Sequence, residues 1–508
     1  MLRRGPGDQV RLGAARQLQA DARVKPGHDE NRKMGRDETM TEYWRLSARK
    51  TVELLKSGAV SPLELIDHAL ARIAAVNPKV NAMVTLCADR ARDHAKRLMA
   101  KPVDQRGPLC GLPFGVKELN DVAGVRTTYG SPIFADNVPE KSDIMVERLE
   151  NNGGIVLGMT NTPEFGAGAN TFNEVHGETY NPWNVKLNAG GSSGGAAVAL
   201  ATGEVWLATG SDLGGSLRTP AAFCSVVGLR PSPGRVPSGP GELRFDTLSV
   251  DGPMARDVGD TAMMLDAMAG WHIDIPVSYP APDEPFLTTA LKRLKPKRVA
   301  FSLDPAALPI EAGVKSLCRA ALEKLSAAGI AVEEASPDFS GVGNAFQTLR
   351  AVDYATTMRP LLNKHRDKLK PDVIWNAEKG LGLTAEEIGK AHLRRSRLYA
   401  DMVKLFETYD LLVLPAAPIL PRDIKERWPR KIAGEQLDNY VEWLKLAALI
   451  TMTSCPVLSL PCGFSPDGRP MGLQIVGKPR GEGALLSHAM LFEEILGVRD
   501  AVPIDPKG

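Results

Sequence analysis

The sequence predicts an α/β fold in which a β-sheet is covered by helices on both faces, and three observations carry that prediction. Amphipathic segments of helical length alternate with short apolar runs through the first half of the chain. The runs at 112–116, 154–159 and 205–209 read as buried strands. Runs of the same kind return at 409–415, 457–461 and 471–476, so the sheet is built from both ends of the chain.

Residues 1–40 are rich in Arg, Gly and Asp and show no periodicity, so they bury too little surface to offset ordering entropy and are expected to be a disordered N-terminal extension. Periodic structure begins just after Met40, which raises the expectation of an upstream or misassigned start. Ser47 can cap a first helix that Gly58 stops. Ser61-Pro62-Leu63-Glu64 is a capping box with proline at the first helical position. Ile66, Ala69, Leu70 and Ile73 share one face of this second helix, which Pro78 is expected to end. Helices are expected over 88–99 and 142–152, with strands ending at Lys117 and spanning 154–159. A helix over 196–201 and a strand over 205–209 follow. That strand delivers 210–216 at its carboxyl end, where open α/β sheets place ligands. Helices opening at 217–222 and covering 257–269 come next, and the proline-rich stretch 276–285 marks a boundary. The section 286–430 is more helical, with short strands at 298–302 and 330–332, and is expected to be an inserted, more variable lobe. A core strand at 409–415, a helix at 436–449, strands at 457–461 and 471–476, and a helix at 482–496 complete a domain expected over 41–499, with a tail over 500–508.

Composition narrows the function. Lysine and arginine total 62 against 60 aspartates and glutamates, so no broad field draws nucleic acid or an anionic membrane, and a small molecule is the expected partner. The six cysteines have neither C-x-x-C spacing nor a histidine grouping, which argues for buried or free thiols in a reducing compartment; no metal and no cofactor are expected. No apolar run reaches the roughly 18 residues of a membrane span, and the N-terminus lacks the apolar core of a signal peptide, so a cytoplasmic location is expected. The oligomeric state is not legible, and a homodimer is compatible with the sequence.

The chemistry concentrates between Gly190 and Arg218. The stretch opens Gly190-Gly191-Ser192-Ser193-Gly194-Gly195 and closes Gly210-Ser211-Asp212-Leu213-Gly214-Gly215-Ser216-Leu217-Arg218. Glycines on both sides of a serine permit sharp bends and let a substrate carbonyl approach the main chain, which a serine nucleophile with a backbone oxyanion hole requires. Taken singly, each cluster also reads as a plain loop. The first fits the G-x-S-x-G nucleophile elbow, but an elbow follows a strand and residues 181–188 do not read as one. A serine hydroxyl needs a base, and none of the eight histidines lies in either cluster. Backbone N–H groups of Leu213, Gly214, Gly215 and Ser216 are the candidate oxyanion donors. Asp212 and Arg218 can pair to hold this loop, and Ser193 can support it by hydrogen bonding.

Upstream, Gly111-Leu112-Pro113-Phe114-Gly115-Val116-Lys117-Glu118 is an apolar run that reaches a lysine. Its order and spacing with the two serine clusters resemble the amidase signature family of serine hydrolases. The resemblance covers about 41–499 and includes Asn161-Thr162-Pro163-Glu164-Phe165-Gly166, Asn181-Pro182-Trp183, 223–231 and 456–477. It implies the amidase signature fold, with a large mixed central β-sheet covered by helices. It also implies hydrolysis of the amide C–N bond of a small carboxamide, through a seryl acyl-enzyme, to carboxylate and ammonia or amine. The residues implied are Ser216 as nucleophile, Ser192 as proton relay after a cis Gly191–Ser192 bond, and Lys117 as base. A lysine accepts a proton only when neutral, so its pKa must fall from about 10.4 to about 7–8, and burial among Leu112, Phe114 and Val116 contributes to that. The family's usual acid after the base lysine is aspartate, whereas Glu118 stands here. A second reading is the A subunit of a glutamine-dependent aspartyl/glutamyl-tRNA amidotransferase, which needs partner chains and whose expected features are not met at 434–453. A third, a non-catalytic binding protein of the same fold, is opposed by the presence of all three residues.

Overall fold

Eleven strands hydrogen-bond into one mixed sheet in the computed structural model, which describes residues 42–241 and 243–508. In chain order they are β1 (Met83–Leu86), β2 (Pro113–Lys117), β3 (Ile155–Thr160), β4 (Leu207–Asp212), β5 (Val227–Arg230), β6 (Val250–Ala255), β7 (Arg298–Phe301), β8 (Ala331–Glu334), β9 (Leu411–Pro415), β10 (Val457–Phe464) and β11 (Pro470–Val476). Across the sheet the order is β1-β3-β2-β4-β6-β5-β10-β11-β9-β7-β8. β2 runs parallel to β3 and β4, and β9, β7 and β8 are mutually parallel, whereas β4, β6, β5, β10 and β11 alternate in direction. Every residue of β2, β3 and β6 is buried; side chains alternate between the two faces of a strand, so both faces are covered. The expected α/β class and the mixed central sheet are what the chain forms. Among the described residues, no helix is long and apolar enough to cross a membrane.

Local signals set the helix ends. Ser47 accepts from Lys50 N, and Gly58 closes the first helix at φ 73°. The Ser61/Glu64 capping box is reciprocal. Pro78, however, does not end the second helix. It lies inside Pro62–Val80, and Asn81 in the left-handed region ends it, its N–H bonding Asn77 O at 2.7 Å. Proline removes one donor from the last turn, which is tolerated where the chain is already leaving the helix.

Four further expectations change. The strand placed at 205–209 runs two residues later and three further, as β4, so Gly210–Asp212 are strand and the loop begins at Leu213. The helix expected over 436–449 shrinks to Lys445–Thr451 behind a single turn at Glu442–Leu444. Gly434, at φ 96°, turns a small hairpin of Lys431–Ile432 with Glu435–Gln436, and Asn439 Oδ1 takes Val441 N–H in a local bond that competes with helix. The section 286–430, expected as an inserted lobe, contributes β7, β8 and β9 to the sheet itself. Around these strands it forms the helices Phe286–Ala290, Ala312–Ala327, Val342–His365, Pro371–Leu381 and Ala385–Thr408. The expected tail 500–508 packs back on the body, with Ile504 N on Ala201 O at 2.8 Å and Lys507 N on Pro182 O at 2.9 Å. The N-terminal extension expected to be disordered lies outside the described residues.

Helix Gly194–Ala201 is buried on every side, as its glycine and alanine content permits, and it carries the first serine cluster at its N-terminus. A Cβ on Gly195 would stand 2.2 Å from Asn161 N and 2.7 Å from Ala82 O, both main chain and unable to yield. Gly195→Ala is therefore expected to destabilise the protein by about 1–3 kcal/mol or more, read by denaturant unfolding.

Candidate active site

Strand pairing brings three separate segments to one place. Lys117 is the last residue of β2, and β2 lies beside β4 in parallel, with Phe114 opposite Leu207 and Gly115 opposite Ala208. Their carboxyl ends therefore open on the same side. Ser192 and Ser193 enter helix Gly194–Ala201, and Ser216 lies between β4 and helix Arg218–Cys224. The Lys117 N–H donates to Thr209 Oγ1 at 2.9 Å, fixing the strand end. Its side chain is fully buried, and Nζ donates to Ser192 Oγ at 2.7 Å and to Ser211 Oγ at 2.9 Å. Among the described residues no carboxylate stands within ion-pair distance of Nζ. Burial lowers the lysine to about 7, against the opposing pull of Asp251 and then Asp212. The Gly191–Ser192 bond is cis.

Ser216 is half-buried and lines the same cavity as Ser192 and Ser211. Its carbonyl accepts from Ser193 N at 3.2 Å, and Ser193 Oγ donates to Ser211 O at 3.3 Å, so Ser193 holds both strand end and loop. Among the hydrogen bonds of the described residues, none joins the Ser192 and Ser216 hydroxyls directly; both residues line the cavity.

Asp212 organises the loop. Its carboxylate accepts from Gly215 N at 2.9 Å, Leu217 N at 3.1 Å, and Arg218 Nε and Nη2 at 2.9 and 2.8 Å. Arg230 adds contacts to its carbonyl and, at 3.4 Å, to its carboxylate. Burial opposes ionisation, yet Arg218 and Arg230 outweigh it and hold the carboxyl well below the usual range. The Gly215 N–H, expected to face an oxyanion, is thus turned inward to Asp212. Leu213, Gly214 and Ser216 keep N–H groups with no acceptor among the described residues. Gly215 sits at φ 106°, and a Cβ there would stand 2.6 Å from Ala447 Cβ, so the bend requires glycine.

Two residues close to Lys117 escaped the sequence reading. Ser211 bonds the amine, and Asp251 lies opposite Ser211 in the β4–β6 pairing and lines the cavity. Thr209 and Ser211, two apart in an apolar strand, share one face, and that spacing was the available signal for Ser211. Glu118 is placed away from the amine. Its carboxylate accepts from Thr128 N at 2.6 Å, Thr128 Oγ1 at 2.8 Å and Gly130 N at 3.0 Å, and anchors that turn. The cavity measures about 360 Å³, with apolar side chains such as Leu119, Phe165 and Leu444 and the charged Arg244, Asp246, Arg350 and Asp353 in its walls.

The family model described as Amidase matches residues 64–486, and the chain belongs to that family, the amidase signature enzymes. It is an amidase, an enzyme that hydrolyses amide bonds. Similar proteins include an acylamidase of Rhodococcus erythropolis, 33% identical over 477 residues that make up 92% of this chain and 99% of that one. The A subunit of the glutamyl-tRNA(Gln) amidotransferase of Moorella thermoacetica is 34% identical over 489 residues, 89% of this chain and 97% of its own. Among solved structures, a bacterial aryl acylamidase of the amidase signature family aligns with a TM-score of 0.82 at 26% identity, covering 90% of this chain and 99% of that one.

Removing the charge at the centre of the loop leaves Arg218 and Arg230 buried without a carboxylate. Asp212→Asn is expected to cost about 3–5 kcal/mol of stability, measured by denaturant unfolding, and to abolish amide hydrolysis in the fraction that still folds.

Proposed function

We propose that this amidase cleaves the C–N bond of a small carboxamide with Ser216 as nucleophile, Ser192 as proton relay and Lys117 as base. One observation carries the reading: a fully buried lysine, with no carboxylate at ion-pair distance among the described residues, holds a serine hydroxyl at 2.7 Å. An amine brought to about 7 is substantially neutral at physiological pH and has a lone pair for a proton. As Ser216 Oγ bonds to the carbonyl carbon, its proton passes to Ser192 while the Ser192 proton passes to Lys117. The carbonyl π pair moves to oxygen, where the free N–H groups of Leu213, Gly214 and Ser216 stabilise it. Collapse expels the amine, which leaves with the proton returned through Ser192, and water then hydrolyses the ester by the same route. Asp212 and Arg218 position this loop without touching the reacting atoms.

The cavity's size favours a compact amide, with apolar side chains such as Phe165 and Leu444 against an aliphatic or aryl group and the charged Arg350 and Asp353 against a polar one. The likeness to the A subunits of amidotransferases supports a second reading, glutamine hydrolysis dependent on partner chains. The isolated chain is expected to release amine or ammonia from small alkyl or aryl amides and to leave glutamine intact. Glutamine hydrolysis appearing with partner chains, and no turnover of small amides without them, would establish the second reading instead.

Ser216→Ala and Lys117→Ala are each expected to lower kcat/KM by about 10⁴-fold or more, and a fluorophosphonate is expected to label Ser216 in the unaltered enzyme. Because the base works when neutral, kcat/KM is expected to rise with pH and level off above about 7, as a pH–rate profile reads.

A further inference from the structure

We propose that Asp251 is a positioning residue that keeps Lys117 basic enough to take the serine proton, acting across the β4–β6 pairing through space rather than by contact. The inference rests on Lys117 being the base. Ser211 and Asp251 are directly opposite in that antiparallel pair, so their side chains leave the sheet on the same face within about 4.5–5.5 Å of each other at Cβ. Ser211 Oγ touches Lys117 Nζ at 2.9 Å. The carboxylate therefore stands one side chain away from the amine, too far for an ion pair and close enough for its field to reach the fully buried Lys117.

The groups around the amine single out Asp251 as the source of that field. From β4, Asp212 carries a negative charge, but Arg218 and Arg230 neutralise it. From the turn after β2, Glu118 is engaged by Thr128, Gly130 and, at 3.3 Å, His176 Nε2, and Asn120 is uncharged. From the first serine cluster come only the Ser192 and Ser193 hydroxyls. On β6, Asp251 is buried at 6% exposure and has no cationic partner among the described residues. Asn120 Nδ2 donates to it at 3.3 Å and to Asp143 Oδ2 at 2.8 Å, tying it to the turn that follows Lys117. Burial raises both aspartates, Asp143 to about 7; at Asp251, which lines the cavity beside Lys117, Ser238, the field of Lys117 and Asn120 oppose that rise and favour the charged form.

A buried carboxylate without a cation opposes stability. Here it counters the desolvation that would otherwise carry the lysine below the range where it still attracts a proton. Losing the charge makes Lys117 neutral at lower pH and a weaker base. Asp251→Asn keeps the shape and an acceptor for Asn120. Its kcat/KM profile is expected to shift its acid limb down by about one pH unit or more, with a plateau kcat several-fold below the unaltered enzyme, so that the two normalised profiles separate below neutrality. Asp251→Glu is expected to return the limb toward its original position. An acid limb that stays put in Asp251→Asn, with kcat reduced or not, overturns the proposal, because a purely structural aspartate changes amplitude without moving the limb. If Asp251→Asn does not fold, Asp251→Ser is read the same way. Lys117→Ala keeps the two ideas apart: activity surviving there defeats the base assignment, whereas an unmoved limb beside an inactive Lys117→Ala defeats only the role of Asp251.

Discussion

Burying an amine without giving it a counter-ion is the constraint from which the rest of this site follows. Transfer of a charged ammonium from water into a protein interior is costly enough that the group surrenders its proton instead. Everything near Lys117 is consistent with keeping that balance. Hydroxyls of Ser192 and Ser211 satisfy its polarity without supplying charge; of the two carboxylates that pull on it, Asp212 is itself enclosed by two arginines and Asp251 stands beyond ion-pair distance. An aspartate paired directly with the lysine would have made a stable ion pair and a poor base.

Sheet register does the positioning. The parallel alignment of β2 with β4 carries Lys117 and Ser211 to the same edge, and the antiparallel return of β6 places Asp251 beside them. The two serine clusters then need only short turns out of the sheet layer. Such turns are possible because glycines occupy the points of closest approach, as at Gly215 against Ala447 and Gly195 against Asn161.

What could be read beforehand divides along physical lines. Helix caps, the buried strands and the Gly/Ser clusters depend on residues near one another in sequence, and they were legible: Ser61 with Glu64, the apolar run into Lys117, the helix Ala88–Met99 and the closing helix Glu482–Leu496. The lysine and serines came from family resemblance, and their hydrogen bonding is visible only once β2, β4 and the first serine cluster meet. Asp251 was invisible because its significance lies wholly in a cross-strand partner distant in sequence. The Gly215 N–H differs from expectation for a local reason: its acceptor is Asp212, three residues before it, which also accepts from Leu217 N and Arg218. Pro78 and the stretch 436–449 show the opposite failure, where a sound local signal was overruled by Asn81, Gly434 and Asn439.

Arg218 has one further consequence. Besides Asp212, its guanidinium donates to Ala447 O at 2.8 Å, Thr451 Oγ1 at 3.0 Å and Gln474 Oε1 at 2.5 Å. The anchors of the Ser216 turn are thus supplied by residues that a ribosome adds more than two hundred codons later. A nascent chain that has emerged as far as both serine clusters holds Asp212 but still lacks Ala447, Thr451 and Gln474, the other acceptors that seat its arginine.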